Sequence, residues 1–217
     1  MHKRQPHDRK NESGNVLWFI LITIVLIGLL TAILSRSGSN VDQTGNVEQE
    51  RIKISKMLRY VKGVESAVQQ MKLRGISESD LNFDKAAANS TNCTSNDCKV
   101  FHVDGGGISY MAPPDGISAS ATDWVYVGTN NILNVGTTSG DLIIVLRDIN
   151  DASCAQINRM LDVTKGSADN AIDFTVFDGS FSETQTIDNS GGHPSGCQIY
   201  NNGGSNENIF YYVLVRR

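Results

Sequence analysis

The feature that most constrains the fold is an uncharged apolar run near the amino terminus, over residues 16–34. It reads VLWFILITIVLIGLLTAIL, and none of its nineteen residues is charged. As an α-helix this run would be roughly 28 Å long, close to the ~30 Å hydrocarbon core of a bilayer. A cleaved secretory signal has a shorter apolar core, about 7–15 residues, followed by a small-x-small site that this chain lacks. We therefore predict a retained transmembrane helix over residues 15–35 rather than a buried helix of a soluble protein.

The charges that flank this run predict its orientation. Four basic residues precede it: Lys3, Arg4, Arg9 and Lys10. Only Arg36 follows closely, and the next charged residue is Asp42. Because basic residues concentrate on the cytoplasmic side, we expect residues 1–14 to form a cytoplasmic leader. The remainder would be periplasmic or extracellular, on a single-pass protein of a bacterial inner membrane.

The charge of the exported part argues against a nucleic-acid partner. Without residues 1–14 the chain has 15 Lys and Arg residues against 21 Asp and Glu residues. An acidic surface repels the phosphate backbone, whose neutralisation by basic side chains dominates nucleic-acid affinity.

All four cysteines lie on the predicted exported side, which favours two disulfides. Three pairings are possible, and we favour Cys93–Cys98 with Cys154–Cys197. The alternative is a zinc site of Cys93, Cys98 and His102, with His193 as a candidate fourth ligand. An oxidising compartment favours the disulfides, so we expect neither a metal nor another cofactor.

Residues 36–75 are predicted to form a linker and an amphipathic helix. Glycines and serines in residues 35–45 indicate a flexible joint or a weakened stretch of helix. Over residues 46–74, apolar residues recur at steps of three and four, and Gly75 is suited to end the helix. The apolar residues are Val47, Ile54, Leu58, Val61, Val64, Val68 and Met71. This face would pack on the chain's own sheet or, as the alternative, form a coiled-coil seam; we favour the sheet.

Residues 76–217 are predicted to form one β-rich domain. Strands are expected over residues 99–103, 108–110, 171–177 and 209–215, and a hairpin over 123–127 and 132–135. The continuous apolar run 142–146 predicts a central strand buried on both faces, and 151–163 predicts a helix. Residues 180–196 are expected to be a long loop. The fold class is therefore α+β: one transmembrane helix and a long amphipathic helix packed on a mostly antiparallel sheet with two disulfides.

The sequence contains none of the catalytic motifs that we sought. The patterns G-x-S-x-G, H-E-x-x-H and the phosphate-binding loop are missing. His102 and His193 each lie beside glycine-rich sequence, as solvated loop histidines do. We therefore predict a displayed structural or adhesive module and not an enzyme.

A short basic leader, Ser13-Gly14, an uncharged run, an amphipathic helix and a disulfide-containing β-rich domain together resemble type IV pilins and the pseudopilins of type II secretion. The resemblance covers nearly the whole chain. It implies cleavage after Gly14 by a prepilin peptidase, N-methylation of Asn15 and assembly with other pilin-like subunits through the amino-terminal helix.

One position departs from the pattern of this family. Most members carry Glu at the fifth mature position, which is Phe19 here, so the resemblance is to the minor, tip-located pseudopilins, some of which lack that acid. Cys154–Cys197 would correspond to the disulfide-bounded region of pilins that contacts partners. The chain is also similar to a group of uncharacterised alphaproteobacterial proteins with a G-N-V-L start and an F-H-x-x-G-G-G segment, here Phe101–Gly107.

Two functions follow as hypotheses. The first is a pilin-like or pseudopilin-like minor subunit, inserted in the membrane lipid and built into a filament or secretion pseudopilus. The alternative is a bitopic, membrane-anchored protein whose periplasmic domain binds a protein or ligand partner.

Overall fold

The computed structural model describes residues 13–120, 122–166, 171–183, 185–189 and 191–217, and only the backbone of residues 13–15, 36–46 and 202. The chain divides into two compact units, Met1–Gln49 and Glu50–Arg217. Most of the predicted leader, residues 1–12, lies outside the described residues, as does the side chain of Asn15.

The first helix, α1, extends over Ser13–Leu73. Its segment Val16–Ser35 has a mean hydropathy of 2.9 and is long and apolar enough to cross a membrane. The large apolar side chains of this segment are exposed, from 37 % at Ile22 to 67 % at Leu34. Residues 35–45, predicted as a joint or as weakened helix, have helical backbone.

The carboxyl-terminal part of α1 packs on the sheet of the second unit, as the apolar periodicity predicted. Ile54, Val61 and Val64 are fully buried in one cluster with sheet residues. Val47, assigned to the same face from sequence, is instead 54 % exposed. Gly75 has a φ of +94°, and its N–H donates to the Lys72 carbonyl at 2.9 Å. The Ile76 N–H donates to the Met71 carbonyl, which completes a Schellman cap.

A five-stranded, mostly antiparallel sheet forms the centre of the second unit. Its strands are β1 (Val125–Ile132), β2 (Asp141–Leu146), β3 (Gln185–Ile187), β4 (Ser195–Asn202) and β5 (Ser205–Val215), in the order β3-β1-β2-β5-β4. Only the β1–β3 pair is parallel. All six residues of β2 are buried, as predicted for a central strand. Helix α2 (Asp151–Leu161) lies where a helix was expected, and the Asn150 side chain caps it by accepting from the Ser153 N–H.

Side chains alternate between two apolar clusters, one on each face of the sheet. We name the face covered by α1 and α2 the helix face; Tyr126, Ile144 and Phe210 project into it. The opposite face, which we name the loop face, contains Ile143 and Tyr211. Ile172 and Ile187, from the chain between α2 and β4, pack against the loop face.

The hairpin predicted over residues 123–135 is wrong, because β1 continues through its expected turn. Gly128 lies so close to the Phe177 ring and the Ser180 carbonyl that a side chain at this position would collide with them. Asn130 is fully buried, and its amide bonds both the N–H and the carbonyl of Asp173, at 2.8 and 2.7 Å. The polar residues that resembled a turn therefore secure the segment that covers the loop face.

Other strand predictions also differ from the structure. Residues 99–103 form turns, because the N–H groups of His102 and Gly106 both donate to the Lys99 carbonyl and coil the chain. The described residues 171–177 form no strand; their backbone bonds Asn130 and the Tyr126 carbonyl instead of a ladder. The loop predicted over 180–196 contains β3 and the start of β4.

The outer edge of β4 is closed at Cys197 by a side chain of α2. The Asn158 amide donates to the Cys197 carbonyl and accepts from its N–H, both at 2.7 Å. The Asn158 side chain is 6 % exposed, and its two hydrogen bonds take the place of those that a neighbouring strand would make to Cys197.

Candidate functional site

The residues singled out from sequence lie in three separate places. Gly14 and Asn15 are in the first turn of α1. Cys93 is bonded to Cys98, and Cys154 to Cys197, the two pairs that the sequence analysis favoured. The Cys154–Cys197 disulfide is fully buried and joins α2 to β4.

The alternative zinc site does not fit this arrangement. Both cysteines proposed as its ligands are in a disulfide, so neither offers a thiolate. Within the described ranges, no group of three or more His, Cys, Asp or Glu side chains could hold a metal ion.

A cleft with aromatic walls opens beside β1, and we name it the aromatic cleft. Its volume is about 370 Å³, within the range of small-molecule sites. The described residues that line it are Asn82, Phe83, Asp84, Lys85, Ser90, Asn92, Tyr110, Asp123, Trp124, Val125, Tyr126, Val176 and Phe177.

Ring-to-ring contacts fix the aromatic wall of this cleft. Phe83 stacks on Tyr126 with ring centroids 4.2 Å apart and an interplanar angle of 13°. Phe177 meets the same Phe83 ring edge-on at 6.1 Å. The indole N–H of Trp124 donates to the Met111 carbonyl at 2.9 Å, which fixes the plane of this ring. The wall is therefore rigid before any ligand arrives.

Internal hydrogen bonds hold the polar wall, which comes from residues 82–92, directly before the first disulfide. The Asn82 amide donates to the Ala88 carbonyl and to the Ser90 hydroxyl, at 2.9 and 2.8 Å. The Asn92 amide donates to the Ser79 and Leu81 carbonyls, both at 2.9 Å. Backbone bonds between Ser90 and Cys93 continue this wall into the disulfide.

An ion pair stands at the rim of the cleft. Lys85 Nζ lies 2.8 Å from Asp123 Oδ2, and the two side chains are 64 % and 45 % exposed. The hydrogen bond to Asp123 raises the pKa of Lys85. Because both groups face solvent, a charged ligand can exchange with either partner at little cost.

Three tyrosine hydroxyls near the aromatic wall have unused hydrogen-bonding capacity. Among the described residues, the buried hydroxyls of Tyr60, Tyr110 and Tyr126 have no hydrogen-bond partner. Burial raises the pKa of Tyr60 and of Tyr126, so both phenols remain neutral at physiological pH.

Two further clefts adjoin the aromatic cleft. One, of about 540 Å³, contains Pro113 and Pro114 and shares Lys85, Tyr110 and Asp123 with the aromatic cleft. The other, of about 280 Å³, is lined by Asp173 and Asp178 and shares Val176 and Phe177. We name the three adjoining clefts together the trough.

The chemistry of the trough suits binding. Its described lining residues include neither His nor Cys, so they offer no nucleophile paired with an imidazole base. They offer aromatic surface, several carboxylates and one ammonium group.

Sequence reasoning did not identify the trough, because its aromatic residues are scattered from Phe83 to Phe177. Trp124 and Tyr126 were visible only as apolar members of a strand. A local signal existed in this pair: two large aromatic residues at i and i+2 share one face of a strand.

Comparison of the chain with protein-family models, with curated proteins and with solved structures finds no match. The trough is the candidate functional site because it combines concave shape, rigid aromatic walls and an exposed ion pair.

Proposed function

We propose that the chain is a minor structural subunit of a pilin-like filament or secretion pseudopilus, without enzymatic activity. The observation that carries the proposal lies in α1. This one helix contains an exposed apolar segment, Val16–Ser35, and an amphipathic part that packs on a mostly antiparallel sheet.

Membrane physics explains why such a subunit would assemble. A helix that is apolar all round can leave the bilayer only if other apolar helices cover it. In a filament core, the helices of neighbouring subunits would replace lipid around Val16–Ser35. Phe19 at the position of the usual acid favours a minor, tip-located subunit over a major one.

The proposed location is a bacterial inner membrane, with the amino terminus in the cytoplasm. Basic residues precede the apolar segment, as the positive-inside rule requires. The two disulfides favour an oxidising compartment for the second unit.

The test is the intact mass and amino-terminal sequence of the protein from native membranes. We expect a chain that begins at Asn15 and is methylated there. Gly14→Val should block this processing, whereas Gly28→Val, the same substitution in an open position of the same helix, should leave it unchanged. Normal maturation of Gly14→Val would overturn the assignment to the pilin-like class.

A second candidate function is a single-pass anchored protein that binds a partner at the membrane. The preformed aromatic cleft favours it, because a purely structural module needs no such cavity. A mature chain that begins at Met1 would favour this function over filament assembly.

A further inference from the structure

We infer that the trough binds an extended basic segment of a polypeptide partner, with one aromatic or aliphatic side chain seated in the aromatic cleft. This inference goes beyond filament assembly and does not depend on it. It rests on the shape, the charge and the rigidity of the trough.

The shape favours a chain over a compact ligand. The aromatic cleft shares residues with a cleft on each side, so three concave sites follow one another. A compact ligand would occupy one of them, whereas an extended peptide can place successive side chains in all three.

The charge of the trough selects a cationic partner. Its described lining residues include five carboxylates and one ammonium group, that of Lys85. The carboxylates are Asp84, Asp115, Asp123, Asp173 and Asp178. Lys53 approaches the outer end of the trough, where its Nζ donates to the Asp115 carbonyl at 2.8 Å. Asp84 therefore gives the aromatic cleft a net negative charge, and Asp178 contributes one in the cleft beyond Phe177.

Backbone hydrogen bonds orient two of these carboxylates, those of Asp84 and Asp178, whereas Asp123 pairs with Lys85. Asp84 accepts from the N–H groups of Ala86 and Ala88, at 2.9 and 3.1 Å. Asp178 accepts from the Ser180 N–H at 2.9 Å, and this bond lowers the pKa of Asp178. Oriented carboxylates beside aromatic faces attract Lys and Arg side chains by charge and by cation–π contact.

The aromatic cleft supplies the anchor for one apolar side chain. Val176 at its rim is 69 % exposed, while Trp124 and Tyr126 in its wall are 7 % and 5 % exposed. A deep aromatic wall behind an exposed apolar rim is the arrangement in which one inserted side chain contributes most of the affinity.

Trp124 makes the inference directly measurable. The chain has two tryptophans, so Trp18→Phe leaves Trp124, in the cleft wall, as the only indole. This full-length chain is placed in nanodiscs of neutral phosphatidylcholine and titrated with a synthetic peptide in which Lys and Arg residues flank one Phe. We expect a saturable change in Trp124 fluorescence that weakens with added salt.

Charge variants then locate the site. Asp84→Asn combined with Asp123→Asn should weaken binding about tenfold, and Lys85→Met should strengthen it about threefold. The matched control is Asp162→Asn, the same change at an exposed carboxylate outside the trough, which should leave affinity unchanged. Val176→Lys, at an exposed rim position, should weaken binding even if the double variant fails to fold.

Several results would overturn the inference. One is an equal response to a peptide with Glu in place of Lys and Arg. Another is equal weakening by Asp162→Asn and by the double variant, which would place binding elsewhere. Spermidine binding as tightly as the peptide would show a small-polyamine site instead. A missing amino-terminal cleavage would contradict the filament proposal and leave this inference untouched.

Discussion

The two faces of the sheet are equally apolar at their centre but are covered by different means. Ile144 on the helix face and Ile143 on the loop face are both fully buried, one residue apart in β2. Helices α1 and α2, which satisfy their own backbone hydrogen bonds, cover the first face together with irregular chain that includes Leu81, Val100 and Ile117. The chain over the second face is mostly irregular, so its backbone needs partners from side chains.

Buried amides supply these partners on the loop face. Asn189 is 1 % exposed, and its carbonyl accepts from the N–H groups of Gly191, Gly192 and His193. Asn130 bonds Asp173 in the same way. A helical cover therefore depends on apolar packing, and an irregular cover depends on a few polar side chains whose loss cannot be compensated locally.

Removal of the Cys154–Cys197 disulfide, which lies in the helix-face cluster, should have the largest effect, because it closes the longer of the two disulfide-bonded segments. The sequence separation of 43 corresponds to about 4 kcal/mol of unfolding free energy in the loop-entropy account. Cys154→Ser with Cys197→Ser should therefore destabilise the protein by that order. The matched Cys93→Ser/Cys98→Ser variant, with a separation of 5, should lose about 2 kcal/mol. Urea denaturation followed by Trp124 fluorescence, with Trp18→Phe in every chain, would measure both; equal losses would contradict the expectation.

Truncation of the paired isoleucines compares the two covers at one strand. Ile144→Ala should lower the unfolding free energy by about 4 kcal/mol, because two packed helices cannot collapse into the cavity. Ile143→Ala should lower it by about 2–3 kcal/mol, because an irregular cover relaxes more easily. The same denaturation assay measures both variants. A larger loss of unfolding free energy in Ile143→Ala than in Ile144→Ala would contradict the expectation.

Loss of the buried Asn189 side chain should lower the unfolding free energy by more than the small size of the side chain suggests. Asn189→Ala should cost about 2–3 kcal/mol, since it removes the acceptor of the Gly192 and His193 N–H groups and one of the two hydrogen bonds of the Tyr211 hydroxyl. The control Asn206→Ala, at an exposed position of β5, should change stability by less than about 0.5 kcal/mol. Hydrogen exchange of the Gly192 amide would report the local effect, and unchanged protection in Asn189→Ala would count against it.

The smallest expected effect on stability comes from removing one tyrosine hydroxyl on each face of the sheet. Tyr211 on the loop face donates to the His193 carbonyl at 2.9 Å and accepts from the Asn189 amide. Tyr211→Phe should therefore cost about 1 kcal/mol. Among the described residues, the Tyr126 hydroxyl on the helix face makes no hydrogen bond of normal length and interacts with the Tyr60 hydroxyl, so Tyr126→Phe should be nearly neutral. Thermal unfolding of both variants would test this, and a clear loss for Tyr126→Phe would show that its hydroxyl is satisfied.

The same division explains what could be predicted from sequence. The apolar period of α1 and the run of β2 identified the helix face, because packing against regular elements leaves a regular pattern. Residues 129–131 were mistaken for a turn, since buried strand amides and exposed turn amides look alike in sequence. The predicted strand over 171–177 failed for a related reason: its alternating residues cover a face and form no ladder with β1.

The trough was beyond sequence reasoning because it depends on contacts between distant segments. Phe83 and Tyr126 stack across more than forty positions of sequence, and no periodicity links them. The ion pair of Lys85 with Asp123 has the same character. Local patterns predict elements, whereas this site arises where residues 82–92 meet β1.

The two hydrogen bonds of Asn158 at the edge of β4 have a consequence where the local concentration of the protein is high. Proteins confined to a membrane plane collide often, and an open sheet edge invites strands of neighbouring copies to join it. Asn158 occupies the backbone groups of Cys197 that such a strand would need. The Asn158 side chain thus hinders strand pairing between copies at this edge, so that neighbouring copies can lie close together without aggregating through it.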